Sequence, residues 1–187
     1  MKQKNLIYEL TTCAIFSALM CIFGPLAVPI GPIPVSLTNL VIYLAVFLLA
    51  AKGTTLAFLI YLLLGAVGLP VFSGYTGGLA KLSGLTGGYL IGFIFLAIIS
   101  GIAFEKSKGN VIITAIGMIL GTLVTYTFGT AWFIFQAKCT LTYALGLCVT
   151  PFIPFDLGKI VIACIVGQTV RKSLLRTGLL PEKATFK

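Results

Sequence analysis

The sequence predicts an all-α, polytopic membrane protein of six transmembrane helices, in one integral membrane domain over residues 1–187. Three observations carry that prediction. Apolar residues make up 59% of the chain and charged residues 9%, with a mean hydropathy of +1.13, whereas a soluble domain needs a far more polar surface. The apolar residues fall in runs that approach the roughly 18 residues of a membrane-crossing helix. No window shows the two-residue alternation of a membrane β-barrel, so backbone groups in lipid have to be satisfied within helices.

The first span is expected from about Tyr8 to Phe23. It is read as a helix rather than a cleaved secretory signal, because no small-residue cleavage site follows it. "GPLAVPIGPIPVSL" then forms an irregular loop, since its prolines prevent a continuous helix. The second span covers about Leu37 to Ala51 and the third about Thr54 to Leu69, separated at Lys52-Gly53. "PVFSGYTGGLAKLSGLTGG" is rich in glycine and turn residues and is unsuited to facing lipid. The fourth span runs from about Gly87 to Phe104 and ends at "EKSKGN"; the fifth runs from about Val111 to Phe135. The sixth ends near Val170 and starts at Tyr143 or Pro154, because Pro151 and Pro154 interrupt any simple helix.

Charge orients these spans. Lys2, Lys4, Lys52, Lys106, Lys108, Arg171, Lys172, Arg176, Lys183 and Lys187, ten of the thirteen basic residues, fall on one side if both termini are cytoplasmic. The positive-inside rule favours that arrangement. The net charge of +9 is therefore a topology and lipid-headgroup signal; no basic-aromatic surface for nucleic acid is present. The proline loop, the glycine-rich segment and "PFIPFDLGK" then converge at the outer end, where a ligand site is expected.

Few residues there carry chemistry. Asp156 and Lys159 are three apart and share a helix face. Ionisable groups within a span point to a partner or a cavity; either the two pair and fasten the sixth helix, or they grip a polar ligand. Thr86, Gly87 and Tyr89 open the fourth span, where paired glycines allow close approach and free N–H groups favour an anion or carbonyl. Asn39 is a ligand hydrogen-bonder or a helix cap. Tyr126, Gly129 and Trp132 lie roughly on one face, as a pocket wall or an interfacial belt. Lys81 sits in the glycine-rich segment, solvated or attracting an anion. In the first span, Ala14 and Ala18 permit close approach of another helix.

Absences narrow the classes. With no histidine and no C-x-x-C among five cysteines, a zinc site or Cys–His nucleophile is disfavoured. With no G-x-x-x-x-G-K-[ST], ATP hydrolysis is expected on other subunits. Neither a metal nor a cofactor is expected.

"GLPVFSG", "GLTGGYLIGF" and "PFIPFDLGK", together with "VPIGPIPVSL" and the Tyr126–Gly129–Trp132 triplet, resemble the BioY family in order and over essentially the whole chain. These are the biotin-specific substrate-binding (S) components of energy-coupling factor (ECF) transporters. The sequence departs from the usual family pattern at Leu85, where proline is usual, and at Thr38-Asn39, where Gln-Thr is common. The resemblance implies a six-helix protein of a prokaryotic cell membrane that binds biotin from outside. It also implies a transmembrane coupling protein and two ATPase subunits as partners, with Ala14 and Ala18 as the coupling contact. Asp156 and Lys159 then match the ureido or carboxylate ends of biotin, and Tyr89 and Trp132 its apolar middle. An S component for another vitamin and a self-sufficient biotin facilitator are the alternatives.

Overall fold

The structure is a computed structural model that describes residues 2–30 and 33–178. Its elements are α1 (Lys2–Phe23), β1 (Ala27–Ile30), β2 (Ile33–Ser36), α2 (Thr38–Ala66), α3 (Leu79–Ser83), α4 (Gly87–Lys106), α5 (Val111–Ala137), α6 (Leu141–Cys148) and α7 (Phe152–Arg176). Among the described residues, α2, α4, α5 and α7 are long and apolar enough to cross a membrane, and α1 adds the shorter apolar stretch Ile7–Phe23.

The two spans expected at residues 37–51 and 54–69 form one helical run that reverses at Ala50, whose φ of 54° and ψ of −155° are not helical. Leaving Ala50 in either direction, the chain climbs α4 towards its start. Before the break, Phe47 packs edge-on against Phe104, with ring centroids 5.6 Å apart. After it, Phe58 reaches Phe93, at 6.0 Å. The second half runs alongside α1 in the same direction, with Cys13 Sγ donating to Gly53 O (3.4 Å) and Ser17 Oγ to Ala57 O (2.9 Å).

A broken helix exposes orphan backbone groups of opposite polarity at the two new ends. Two charged side chains satisfy them. Glu105 Oε1 accepts from Ala51 N at the start of the second half (3.0 Å). Arg171 Nη1 donates to Phe47 O near the end of the first (2.8 Å), and its guanidinium lies 4.9 Å from the Phe104 ring centre. Each charge has the sign that the local helix dipole favours.

Helices α4 and α5 are antiparallel and close, because glycines face the partner helix. A Cβ at Gly88 would collide with Trp132, at Gly117 with Ala103, and at Gly121 with Leu96. Asn110 caps α5, accepting from Ile112 N (3.0 Å) and Ile113 N (3.3 Å).

Three details depart from the expected spans. The proline loop is a β-hairpin, so the fold is all-α except for one two-stranded ribbon in which Val28 pairs with Val35 and Pro29 with Pro34. Proline suits extended backbone as well as it opposes helix. The glycine-rich segment contains the five-residue α3. The span expected at 143–170 is two helices: α6 ends at Cys148 and α7 starts at Phe152. Pro151 cannot continue α6. Pro154 falls in the first turn of α7, where its missing N–H has no intrahelical partner to lose.

Two apolar clusters result. The larger joins α1, α2, α4 and α7 through Met20, Tyr43, Phe47, Phe58, Leu96 and Ile160. The smaller joins the hairpin to α5, α6 and α7 through Ile33, Val35, Phe133, Cys148 and Phe152.

Candidate functional site

A cleft, partly open to solvent, lies where these clusters meet. Ile33, Pro34, Val35 and Phe152 wall it on the hairpin side, and Leu90, Phe93 and Leu96 of α4 wall it opposite. Ser73 comes from the loop after α2 and Thr86 from the start of α4.

Its polar end is a four-residue cluster. Asp156 and Lys159, 6% and 7% exposed, are paired at 3.0 Å from Nζ to Oδ1. Asn39 Nδ2 donates to Asp156 Oδ1 (2.7 Å) and Tyr126 O–H to Oδ2 (2.6 Å). Lys159 also donates to Asn39 Oδ1 (2.9 Å) and Ser36 O (2.8 Å). An ammonium has three protons, so all three of its donors are engaged. This matters because a buried charge is tolerated only when it is paired and hydrogen-bonded. α7 supplies Asp156 and Lys159 one turn apart, α2 supplies Asn39 in its first turn, and α5 supplies Tyr126.

A neutral layer lies beside the cluster. Thr122 donates to Met118 O (2.7 Å), which commits its one proton, so Tyr43 O–H is the donor in the 2.5 Å contact between Tyr43 and Thr122. Tyr43 is 0% exposed to bulk solvent. Thr125 donates to the carbonyls of Gly92 and Gly121, at 3.0 Å each. The cleft therefore combines a charged, hydrogen-bonding end with walls of aliphatic and aromatic side chains. That combination suits a compact ligand with both polar groups and an apolar body.

Of the residues singled out from the sequence, Asp156, Lys159, Asn39, Thr86 and Tyr89 line the cleft. Asn39, expected as a helix cap or a ligand hydrogen-bonder, lines the cleft, and its amide bridges the ion pair. Two expected site residues do not line the cleft. Gly87 is buried with its α-carbon against Leu82 O, where no Cβ fits. Trp132 turns its Nε1 to Gly84 O (2.9 Å). Gly129 leaves room for the Tyr89 ring, and Tyr89 O–H meets Thr130 Oγ1 at 3.2 Å. Ala14 and Ala18 lie away from the cleft on the exposed face of α1, opposite the buried Cys13, Phe16, Ser17 and Met20.

Sequence reasoning missed Ser36, Tyr43, Ser73, Thr122 and Thr125. A signal for part of this set was present. Asn39 and Tyr43 are four apart, and Thr122, Thr125 and Tyr126 follow i, i+3, i+4 spacing, so each group puts polar side chains on one face of an apolar helix.

Comparison with known proteins agrees over nearly the whole chain. The chain is 36% identical over 175 residues to biotin transporter BioY2 of Lactococcus lactis subsp. cremoris, covering 94% of this chain and 96% of that protein. It is 35% identical over 164 residues to biotin transporter BioY of Thermotoga maritima, covering 88% and 96%. A crystal structure of the S-component for biotin from an ECF-type ABC transporter superposes with a TM-score of 0.84 at 31% identity, covering 92% of this chain and 95% of that one. The family model described as the BioY family matches residues 1–176. The chain belongs to the BioY family.

Proposed function

We propose that this protein is the biotin-binding S component of an ECF-type, ATP-driven vitamin transporter in a prokaryotic cell membrane. Family membership and the likeness to a biotin S-component support the class. The observation that carries the ligand assignment is the Asp156–Lys159–Asn39–Tyr126 cluster at one end of a cleft whose remaining lining is aliphatic, aromatic and hydroxyl side chains. Biotin presents a ureido group with N–H donors and a carbonyl, an apolar thioether ring and chain, and a carboxylate. A carboxylate beside an ammonium, with amide and phenol at hand, offers complements to both polar ends.

In this reading α1, the two halves of α2, α4, α5 and α7 make six crossings. The cleft opens outside, and Lys52, Lys106, Lys108, Lys172 and Arg176 lie at the cytoplasmic end. Biotin enters between the hairpin and the loop carrying Ser73. The chain contains no nucleotide-binding motif, so ATP hydrolysis falls to two partner ATPases acting through a transmembrane coupling protein. The exposed Ala14–Ala18 face of α1 is the contact for that coupling protein.

Equilibrium binding of labelled biotin to the purified protein, competed with unlabelled biotin, riboflavin and thiamine, tests the assignment. One saturable site displaced by biotin alone is the expected result. Displacement by another vitamin at lower concentration would reassign the ligand.

A further inference from the structure

Helix α3 has no buried residue to anchor it, and the chain enters it through Gly78 at a φ of 87°. Leu82 is partly buried against the larger apolar cluster and Gly78 N donates to Gly65 O (2.7 Å); the side-chain hydrogen bonds that hold the far end of the segment come from α5. Gln136 Nε2 donates to Ser83 O (2.5 Å) and Trp132 Nε1 to Gly84 O (2.9 Å). The two donors are four residues apart, one turn of a single helix face, and their acceptors are consecutive carbonyls. Gly84 O also receives Gly87 N (3.0 Å), so the same carbonyl binds both α5 and the start of α4. The Trp132 side chain packs over Gly88, where no Cβ fits, and this holds the indole in place. Two residues beyond Gly84, Thr86 lines the cleft, and its side chain makes no cap hydrogen bond.

We propose that Trp132 and Gln136 are positioning residues that clamp the Leu79–Thr86 segment to α5 and so hold Thr86 against the ligand, an inference that rests on reading the cleft as the biotin site. Trp132 acts on the ligand through Gly84 and Thr86 without touching it. Gln136, which lies at an exposed position, shares the task from outside the cleft. An indole N–H and a primary amide suit it, because both donate to a carbonyl without bringing a charge to the mouth.

The test uses Trp132→Phe, which keeps an aromatic ring over Gly88 and loses the N–H, and Gln136→Ala, whose exposed position spares the fold. Two readouts are taken on the full-length protein. Without ligand, amide hydrogen exchange over residues 79–86 should speed up in both variants. With labelled biotin, each should bind about 3–10-fold more weakly, the range for losing one neutral hydrogen bond. In a Thr86→Val background that penalty should largely disappear. Unchanged exchange in both variants, or an equal Trp132→Phe penalty with and without Thr86, would overturn the clamp. Failure of the wild-type protein to bind biotin would sink the biotin reading instead, and the exchange measurement still decides the clamp.

Discussion

Asn39 and Asp156 are 117 residues apart in sequence, yet the amide nitrogen of one lies 2.7 Å from a carboxylate oxygen of the other. The bond joins the first turn of α2 to the second turn of α7, and Lys159 closes the triangle by donating to both residues. The ion pair therefore serves the fastening role that the sequence left open, and both of its residues line the cleft, where the ligand role is proposed. It fastens α7 to α2 and the hairpin, and it presents its remaining acceptor capacity to the cleft.

Removing either charge should be costly for binding. Asp156→Asn and Lys159→Ala are each expected to weaken biotin affinity about tenfold or more. A hydrogen bond to a charged group contributes roughly 1.5–3 kcal/mol, and about 1.4 kcal/mol is a factor of ten. Lys159→Ala should also lower thermal stability, because it leaves the Asp156 carboxylate buried without its cation. Titration of labelled biotin and a melting curve of each variant check both statements; wild-type affinity in folded variants would leave the pair as a fastener only.

The hairpin is tied to that same cluster, because Lys159 donates to Ser36 O at the end of β2. A second tie, Gly74 N to Pro25 O (3.1 Å), links the loop carrying Ser73 to the hairpin's base. Ligand seated between these two segments should restrain both. Protease cleavage or amide exchange over residues 27–36 is expected to slow when biotin is bound; equal rates with and without biotin would place the ligand elsewhere.

Much of this was legible from local chemistry. Asp156 and Lys159 stood out because charges are scarce in the spans, and the prolines at 151 and 154 marked a helix interruption there without saying that two helices, α6 and α7, flank it. The hairpin was legible only as an absence of helix, since strand pairing depends on which segment returns alongside. Trp132 shows the limit of reading a helix face. Its spacing from Tyr126 and Gly129 gave a shared side of α5, but the direction of the indole depends on where residues 83–86 run. Tyr43 and Thr122 were hidden because single hydroxyls in apolar runs commonly bond back to their own helix, as Thr122 does to Met118.

Ala50 gives a stability prediction opposite to helix propensity. At a φ of 54° and ψ of −155°, an L-residue sits in a region that only glycine adopts readily, with strain on the order of 1–3 kcal/mol. Glycine removes that strain, while its greater freedom in the unfolded chain costs about 0.5–1 kcal/mol. Ala50→Gly should therefore raise the melting temperature by a few degrees, and Ala50→Val should lower it. A lower melting temperature for Ala50→Gly would mean that the junction is not strained.

The last prediction separates binding from energisation. Ala14 and Ala18 sit on the exposed side of α1, while Cys13, Ser17 and Met20 on its other side bury themselves against the rest of the fold. Neither alanine lines the cleft. Small residues four apart let a neighbouring helix approach closely in lipid, where packing rather than water expulsion drives association. A tryptophan there fills that approach without displacing anything inside the protein. Ala14→Trp and Ala18→Trp are accordingly expected to keep biotin affinity within about twofold of wild type, a change of about 0.4 kcal/mol, while losing ATP-dependent uptake and copurification with the coupling protein. Normal uptake in both variants would show that the small-residue face is not the contact. Loss of biotin binding would show instead that α1 shapes the cleft from outside, and binding and coupling would no longer be separable on this helix.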